Sequence, residues 1–336
     1  MTDSRPPLLQ ALAGSRPDRL PVWFMRQAGR SLPEYRAARE GVGMLEACLM
    51  PPLAAEITCQ PVRRHQVDAA VFFSDIMIPL ALAGVEVTIR AGIGPVLGEP
   101  VRTAADVDRL AGRRIEDGSA ITEAVALAVA ELGESTPVIG FAGAPFTLAA
   151  YLVEGRSSRD HLAARALMHA DPATWDRLLS WCAELSADFL RLQVAGGARA
   201  VQVFDSWAGS LSLADYRDHA VGYSRRVLAA AAVPRIHFGV GTAHLLEELA
   251  PGCEAVGVDY RIPLDEAARR LPGTVLQGNL DPARLAAGWE PLEAHARDVV
   301  ARGQAAPAHV VNLGHGVPPT TDPQVLTDLV CLLHEL

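Results

Sequence analysis

Apolar residues along the chain gather in short runs, separated by longer stretches where they recur every three or four positions. The runs are PVWFM (21–25), DAAVFF (68–73), PVIGFAG (137–143), AVQVFD (200–205), RIHFGV (235–240), AVGVD (255–259), TVLQGN (274–279) and HVVNLG (309–314). Each reads as a β-strand. The stretches 116–133, 160–195, 212–232, 243–250, 264–271 and 283–304 carry helical spacing, as in Trp175, Leu178, Leu179, Cys182 and Leu185. The strand runs are nearly continuous in apolar character instead of alternating, as expected where helices cover a parallel sheet. Eight strands alternating with helices predict a single (β/α)8 TIM barrel over 1–336, preceded by an N-terminal extension. A doubly wound open sheet is the alternative. The long interval after the second strand contains VEVTIRAGIGPVLGEPV (85–101), which predicts an extra hairpin. No composition break divides the chain and no internal repeat is present.

Half of the 336 residues are hydrophobic, enough for a large core. No apolar run of about 18 residues predicts a membrane span. MTDSRPPLLQ lacks the charged-then-apolar layout of a secretory signal. The five cysteines (Cys48, Cys59, Cys182, Cys253, Cys331) are scattered, with no CxxC pair, so neither a disulfide framework nor a zinc knuckle is written here. A reducing cytoplasm is the expected location. A net charge of −9 argues against a nucleic-acid partner. All 30 basic residues are arginine. The absence of lysine removes Schiff-base and pyridoxal-phosphate chemistry anchored on that residue, and the P-loop lysine with it.

In a barrel of this kind, sites assemble where the strands end. Arg26, Asp75, Ala144-Pro145, Ser206, Gly241, Tyr260 and His315 follow strand runs. Arg26 and Arg30 could grip one anion with their planar donor forks if the loop enters a helix. Equally, Arg30 could pair with Glu34 while Arg26 caps a carbonyl. Asp75 could accept ligand N–H groups or act as an N-cap. Tyr151 could face a ligand or pack in an amphipathic helix opened by Pro145. Ser206 has no GxSxG frame, which favours hydrogen bonding over nucleophilic attack. His315 stands exposed between two glycines or serves as a core histidine. Cys253 and His237 match no metal-ligand spacing, and no metal is expected.

MRQAGRSLPEYR, FAGAPFTLAAYLVEG, FDSWAGSL, GNLDP and NLGHGVPP together resemble the uroporphyrinogen decarboxylase family, over nearly the whole chain from about Pro21 to Pro323. The resemblance implies a barrel that works as a homodimer without cofactor and removes four acetate carboxyls from uroporphyrinogen to give coproporphyrinogen. It implies that Arg26 and Arg30 hold substrate carboxylates, with Gln27, Ala28 and Gly29 lining the cleft. Asp75 would accept the pyrrole N–H groups, Tyr151 would stand beside it, and Ser206 and His315 would contact substrate. Two places depart from the family: Tyr260 stands where a tryptophan is expected, and EGRSSRDHLAA is less glycine-rich than usual. A protonated pyrrole supplies its own electron sink, which fits a chain with no lysine to anchor a cofactor. Two other functions compete. A zinc-dependent corrinoid or thiol methyltransferase of a related barrel group would need an H-x-C pair where this chain reads His237-Phe238-Gly239. A tetrapyrrole carrier would need no catalysis at all.

Overall fold

The computed structural model describes residues 4–90 and 92–336; Met1–Asp3 of the N-terminal extension and Ala91 of the hairpin stretch lie outside them. Among the described residues, seven parallel strands form one curled sheet, each hydrogen-bonded to the next in chain order. They are β1 (Ala70–Val71), β4 (Val138–Gly143), β5 (Ala200–Asp205), β6 (Arg235–Gly239), β7 (Ala255–Gly257), β8 (Val275–Gln277) and β9 (His309–Val310). Crossovers between them run through helices, as parallel pairing requires. The expected hairpin is present as β2 (Val87–Arg90) and β3 (Gly94–Leu97), antiparallel with Val87 opposite Leu97. It rests on the end of the helix Pro145–Glu154: Leu97 N–H donates to the Gly155 carbonyl and Val101 N–H to the Leu152 carbonyl.

The first expected strand is where sequence and structure part. Pro21–Met25 forms a single parallel bridge, Val22 with Val311, and not a ladder strand. The cause is the destination of its N–H groups. Pro21 has none. Val22 donates to Asp68 Oδ2 (2.8 Å), Phe24 to Gln27 Oε1 (2.9 Å) and Met25 to Asn312 Oδ1 (3.0 Å). Only Trp23 donates to a neighbouring backbone, the Val311 carbonyl, while Asp68 N–H reaches the Val22 carbonyl from the other side. Side chains thus hold the segment between the two edges of the sheet. At its end Arg26 adopts φ +62°, a left-handed turn uncommon outside glycine.

Helix boundaries follow local chemistry. The expected helix over 160–195 breaks at Asp171, whose carboxylate accepts from Thr174 N–H (3.1 Å) and Thr174 Oγ1 (2.6 Å) just before Pro172 opens the helix Pro172–Ala195. The helix Pro51–His65 was not among the expected helical stretches; two of its three prolines sit in its first turn, where proline is tolerated.

The sheet interior is one apolar cluster. Val71, Ile139, Phe141, Ile236, Phe238 and Val310 pack with Trp23, and Leu8, Leu9 and Leu12 of the helix Pro7–Leu12 join them from below. The same cluster holds Ala69, Ala200, Ala255, Val275 and Ala308, at or beside the first residues of their strands, so this helix covers the amino-terminal end of the sheet. A buried polar chain crosses the interior: Trp23 Nε1 donates to Gln277 Oε1 (3.1 Å), and Gln277 Nε2 to Gln202 Oε1 (2.7 Å).

Asp68 is the node of the closure, since its carboxylate takes Val22 N–H together with Arg19 and His334. Asp68→Ala is expected to lower unfolding free energy by about 2–3 kcal/mol through lost charge-assisted hydrogen bonds. Urea denaturation reads this directly; a change below about 0.5 kcal/mol would show that the segment is held without Asp68.

Candidate active site

The carboxyl ends of the strands bring together residues far apart in the chain. Arg26 leaves the turn after Pro21–Met25 with its side chain along Gly316. A Cβ added at Gly316 would lie 2.5 Å from Arg26 Cδ and 2.8 Å from Cγ. Gly314 has a different reason: a Cβ there would lie 2.3 Å from the Tyr260 backbone nitrogen. The two glycines around His315 are therefore sites of close approach, one to a side chain and one to a main chain. Val317 N–H closes the arrangement by donating to the Met25 carbonyl (2.8 Å).

Asp75 follows β1 on a turn that opens the helix Ile78–Leu82. Its Oδ1 accepts Met77 N–H (2.9 Å) in the turn before the helix, where Met77 and not Asp75 is the N-cap residue; its Oδ2 has no hydrogen-bond partner among the described residues. Among the described residues no salt bridge neutralises it. Burial raises its pKa above the ordinary aspartate value, against the lowering effects of Met77 N–H and the Arg26 charge. Gly143 at the end of β4 makes room for this turn, because a Cβ there would meet Ile76 Cβ at 3.1 Å.

Tyr151 lies half-buried on the helix Pro145–Glu154, and burial with the nearby Asp75 charge pushes its phenol up to about 12, Arg26 opposing. The phenol therefore stays protonated through neutral pH and serves as an O–H donor. Its ring packs on Trp207 with centroids 4.0 Å apart, and Trp207 stacks on His161 at 4.3 Å and 23°. This ladder of Tyr151, Trp207 and His161 forms one side of the site. Trp207 adjoins Ser206, which is half-buried in the turn after β5 and whose hydroxyl makes no hydrogen bond among the described residues. His315 is half-buried; burial first, then the Arg26 and Arg261 charges, lower its pKa, so the ring is neutral at pH 7.

The arginines are not one helical turn apart, since the chain from Arg26 to Arg30 is a series of turns and the helix begins only at Pro33. Glu34 does not pair with Arg30. Arg64 takes its carboxylate with two bonds, Nε–Oε1 at 2.6 Å and Nη2–Oε2 at 2.8 Å. Among the described residues, the guanidinium groups of both Arg26 and Arg30 are exposed and make no ion pair or hydrogen bond. Gln27 departs from the cleft-lining expectation. It is fully buried, with Oε1 accepting Phe24 N–H and Nε2 donating to the Ala69 carbonyl (2.9 Å each), so it braces the turn beneath Arg26. Ala28 and Gly29 are half-buried, and Gly29 is required because a Cβ there would lie 2.9 Å from the Arg26 carbonyl oxygen.

Interactions therefore tie Arg26, Asp75, Tyr151 and His315 into one group, Ser206 adjoins it through Trp207, and Arg30 stands outside these contacts. The sequence reading missed Trp207, His161 and the Asp259–Arg261 pair beside His315. Trp207 lies inside FDSWAGSL and could have been found there. His161 gives no such signal, since its role depends on a left-handed turn (φ +50°) before the helix Leu162–Ala170.

The whole chain has known relatives. Residues 3–336 match the family model described as uroporphyrinogen decarboxylase (URO-D). The chain belongs to the uroporphyrinogen decarboxylase family. It is 61% identical to the uroporphyrinogen decarboxylase of Arthrobacter sp. (strain FB24) over 335 residues, 98% of this chain and 97% of that one. It is 58% identical to the enzyme so named from Leifsonia xyli subsp. xyli (strain CTCB07) over 353 aligned positions, 97% of this chain and 93% of that one. Among solved structures, a methyltransferase from Methanosarcina mazei superposes with a TM-score of 0.80 at 18% identity, covering 98% of this chain and 97% of that one. At that identity the likeness speaks for the fold alone.

The two glycines give a test of the site's construction. Gly314→Ala is expected to lower the urea midpoint markedly, because the clash is with backbone, while Gly316→Ala leaves it nearly unchanged and shifts only the Arg26 side chain. Equal effects on stability would show that Gly316 is structural and not a seat for Arg26.

Proposed function

We propose that the chain is a carboxy-lyase of porphyrin and haem biosynthesis, removing the four acetate carboxyls of uroporphyrinogen III as CO2 to give coproporphyrinogen III. One observation carries the reading. A carboxylate with a free oxygen, Asp75, stands beside an unpaired arginine, Arg26, at a mouth that also holds a protonated phenol. Membership of the family, at 61% identity to a named decarboxylase, supports the substrate.

The substrate's carboxylate arms dock on Arg26 and Arg30 by bidentate charge-assisted hydrogen bonds. Its pyrrole N–H groups point at Asp75. A proton adds to the ring carbon next to the one bearing the acetate, giving an iminium-like cation. The C–C bond to the carboxylate then breaks, its electron pair enters the ring as an exocyclic double bond, and CO2 leaves. The methylene carbon takes a proton and the ring carbon gives one up, leaving a methyl group and net uptake of one proton. The Asp75 anion stabilises the cation, and Tyr151 fixes orientation through its O–H. A phenol near 12 is a weak acid, which favours Tyr151 as hydrogen-bond donor over proton source.

The same reading includes a closed eight-strand barrel in which Pro21–Met25 is the eighth stave, supported by its bonds to Val311 and Asp68. It also includes the homodimer and the cytoplasmic location that the family resemblance implied. The methyltransferase alternative finds no support. His237 is buried, with Nδ1 against the Leu249 carbonyl (3.1 Å) and Nε2 3.5 Å from Asp205, and no thiolate stands beside it in the strand.

Anaerobic incubation with uroporphyrinogen, followed by counting the carboxyls lost, tests the proposal. Four are expected; tight binding without CO2 release would leave a carrier. Asp75→Asn is expected to lower kcat about 10²–10³-fold, or about 3–4 kcal/mol. Near-native turnover would remove Asp75 from the mechanism. The pH dependence follows from the raised pKa: Asp75 must be ionised to accept N–H groups, so kcat/KM falls as pH is lowered through a pKa above that of an ordinary aspartate. Asp75→Asn abolishes this limb in whatever activity remains. Arg30→Ala is expected to raise the substrate dissociation constant about ten- to a hundredfold with little change in kcat; unchanged binding would assign the carboxylates to other groups.

A further inference from the structure

Outside the mouth, a second set of side chains has no part in this chemistry. His169 lies in the last turn of the helix Leu162–Ala170, and Asp215 and His219 lie four residues apart on the helix Leu213–His219. One potential ligand atom from each lies within 4.8 Å of the other two. His169 Nε2 is 3.6 Å from Asp215 Oδ1, and the two imidazole rings meet edge to face with centroids 6.0 Å apart. Two ligand atoms sharing a tetrahedral ion at zinc–nitrogen distances are separated by about 3.3 Å, so small rotations about the side-chain torsions bring this set onto one ion. Apart from one another, these side chains have no hydrogen-bonding partner among the described residues, and His169 is exposed, leaving a fourth position open to water.

We propose that His169, Asp215 and His219 bind one divalent transition-metal ion and clip the helix Leu162–Ala170 to the helix Leu213–His219. Two imidazoles and one carboxylate suit zinc or cobalt better than magnesium or calcium, which prefer all-oxygen shells. The location gives the clip a purpose. His161 precedes the first of these helices and Trp207 leads into the second, and those two rings stack at 4.3 Å in the ladder beside Tyr151. The ion joins the far ends of the two segments whose near ends make that stack. It takes no part in the decarboxylation step.

Equilibrium dialysis of EDTA-stripped protein against zinc chloride tests this without reference to turnover. One zinc ion per chain is expected to bind to the native protein and raise its thermal midpoint. His169→Ala and His219→Ala are each expected to weaken binding at least about tenfold. The His169→Ala protein should unfold at the native temperature in EDTA, since that side chain is exposed, and should lose only the zinc-dependent rise. Cobalt(II) should give d–d bands without a sulfur-to-metal charge-transfer band. Undiminished zinc binding by His169→Ala, a thiolate signature from a cysteine such as Cys331, or no binding by the native protein would each overturn the proposal.

Discussion

Three backbone N–H groups, those of Val22, Phe24 and Met25, have no strand partner and are taken by the side chains of Asp68, Gln27 and Asn312. The rest of the site depends on this substitution. An unpaired buried N–H costs about 1–3 kcal/mol, so three such groups left open would destabilise any placement of the segment. The side chains fix where Pro21–Met25 ends and therefore where the left-handed turn at Arg26 begins. That turn aims the guanidinium along Gly316 and toward Asp75, Tyr151 and His315.

Charge at the mouth has a consistent sign logic. The chain is acidic overall, yet the two guanidinium groups of the MRQAGR turn are left without partners while many other arginines pair with acids. Among the described residues Asp75 likewise has no salt bridge, which leaves one oxygen available, and burial raises its pKa. Leaving opposite charges near one another but unbonded costs stability, which on the proposed function the acidic arms and N–H groups of the substrate would repay. Sites commonly hold groups in this incomplete state.

Much of this was legible in the sequence. The runs that became β4, β5 and β6 were placed within a residue or two, because they are long, apolar and bounded by helical spacing. Arg26, Asp75 and His315 were singled out because strand ends are where a parallel fold gathers its polar groups, and Tyr151 from the helix that Pro145 opens. What failed was whatever depends on side chains meeting backbone across long separations. PVWFM has strand composition, but the Asp68, Gln27 and Asn312 contacts that replace its ladder leave no local trace. Gln27 was expected to line the cleft from the family resemblance, whereas its side chain is bonded to Phe24 and Ala69. Pairing Arg30 with Glu34 was reasonable by spacing and lost to Arg64, thirty positions away.

The helix Pro7–Leu12 covers the amino-terminal end of the sheet, and Phe141, Phe204 and Phe238 contact one another edge-on between it and the mouth. The curled sheet is thereby covered at its amino-terminal end by apolar side chains. On the proposed function, a large ligand would reach Asp75 from the opposite end, where the strands finish. A macrocycle bearing several equivalent arms would then have to turn in place, or leave and return, to offer each arm to the same carboxylate. Symmetry in the substrate, and not a second set of catalytic groups in the protein, would then let the one proposed site act repeatedly.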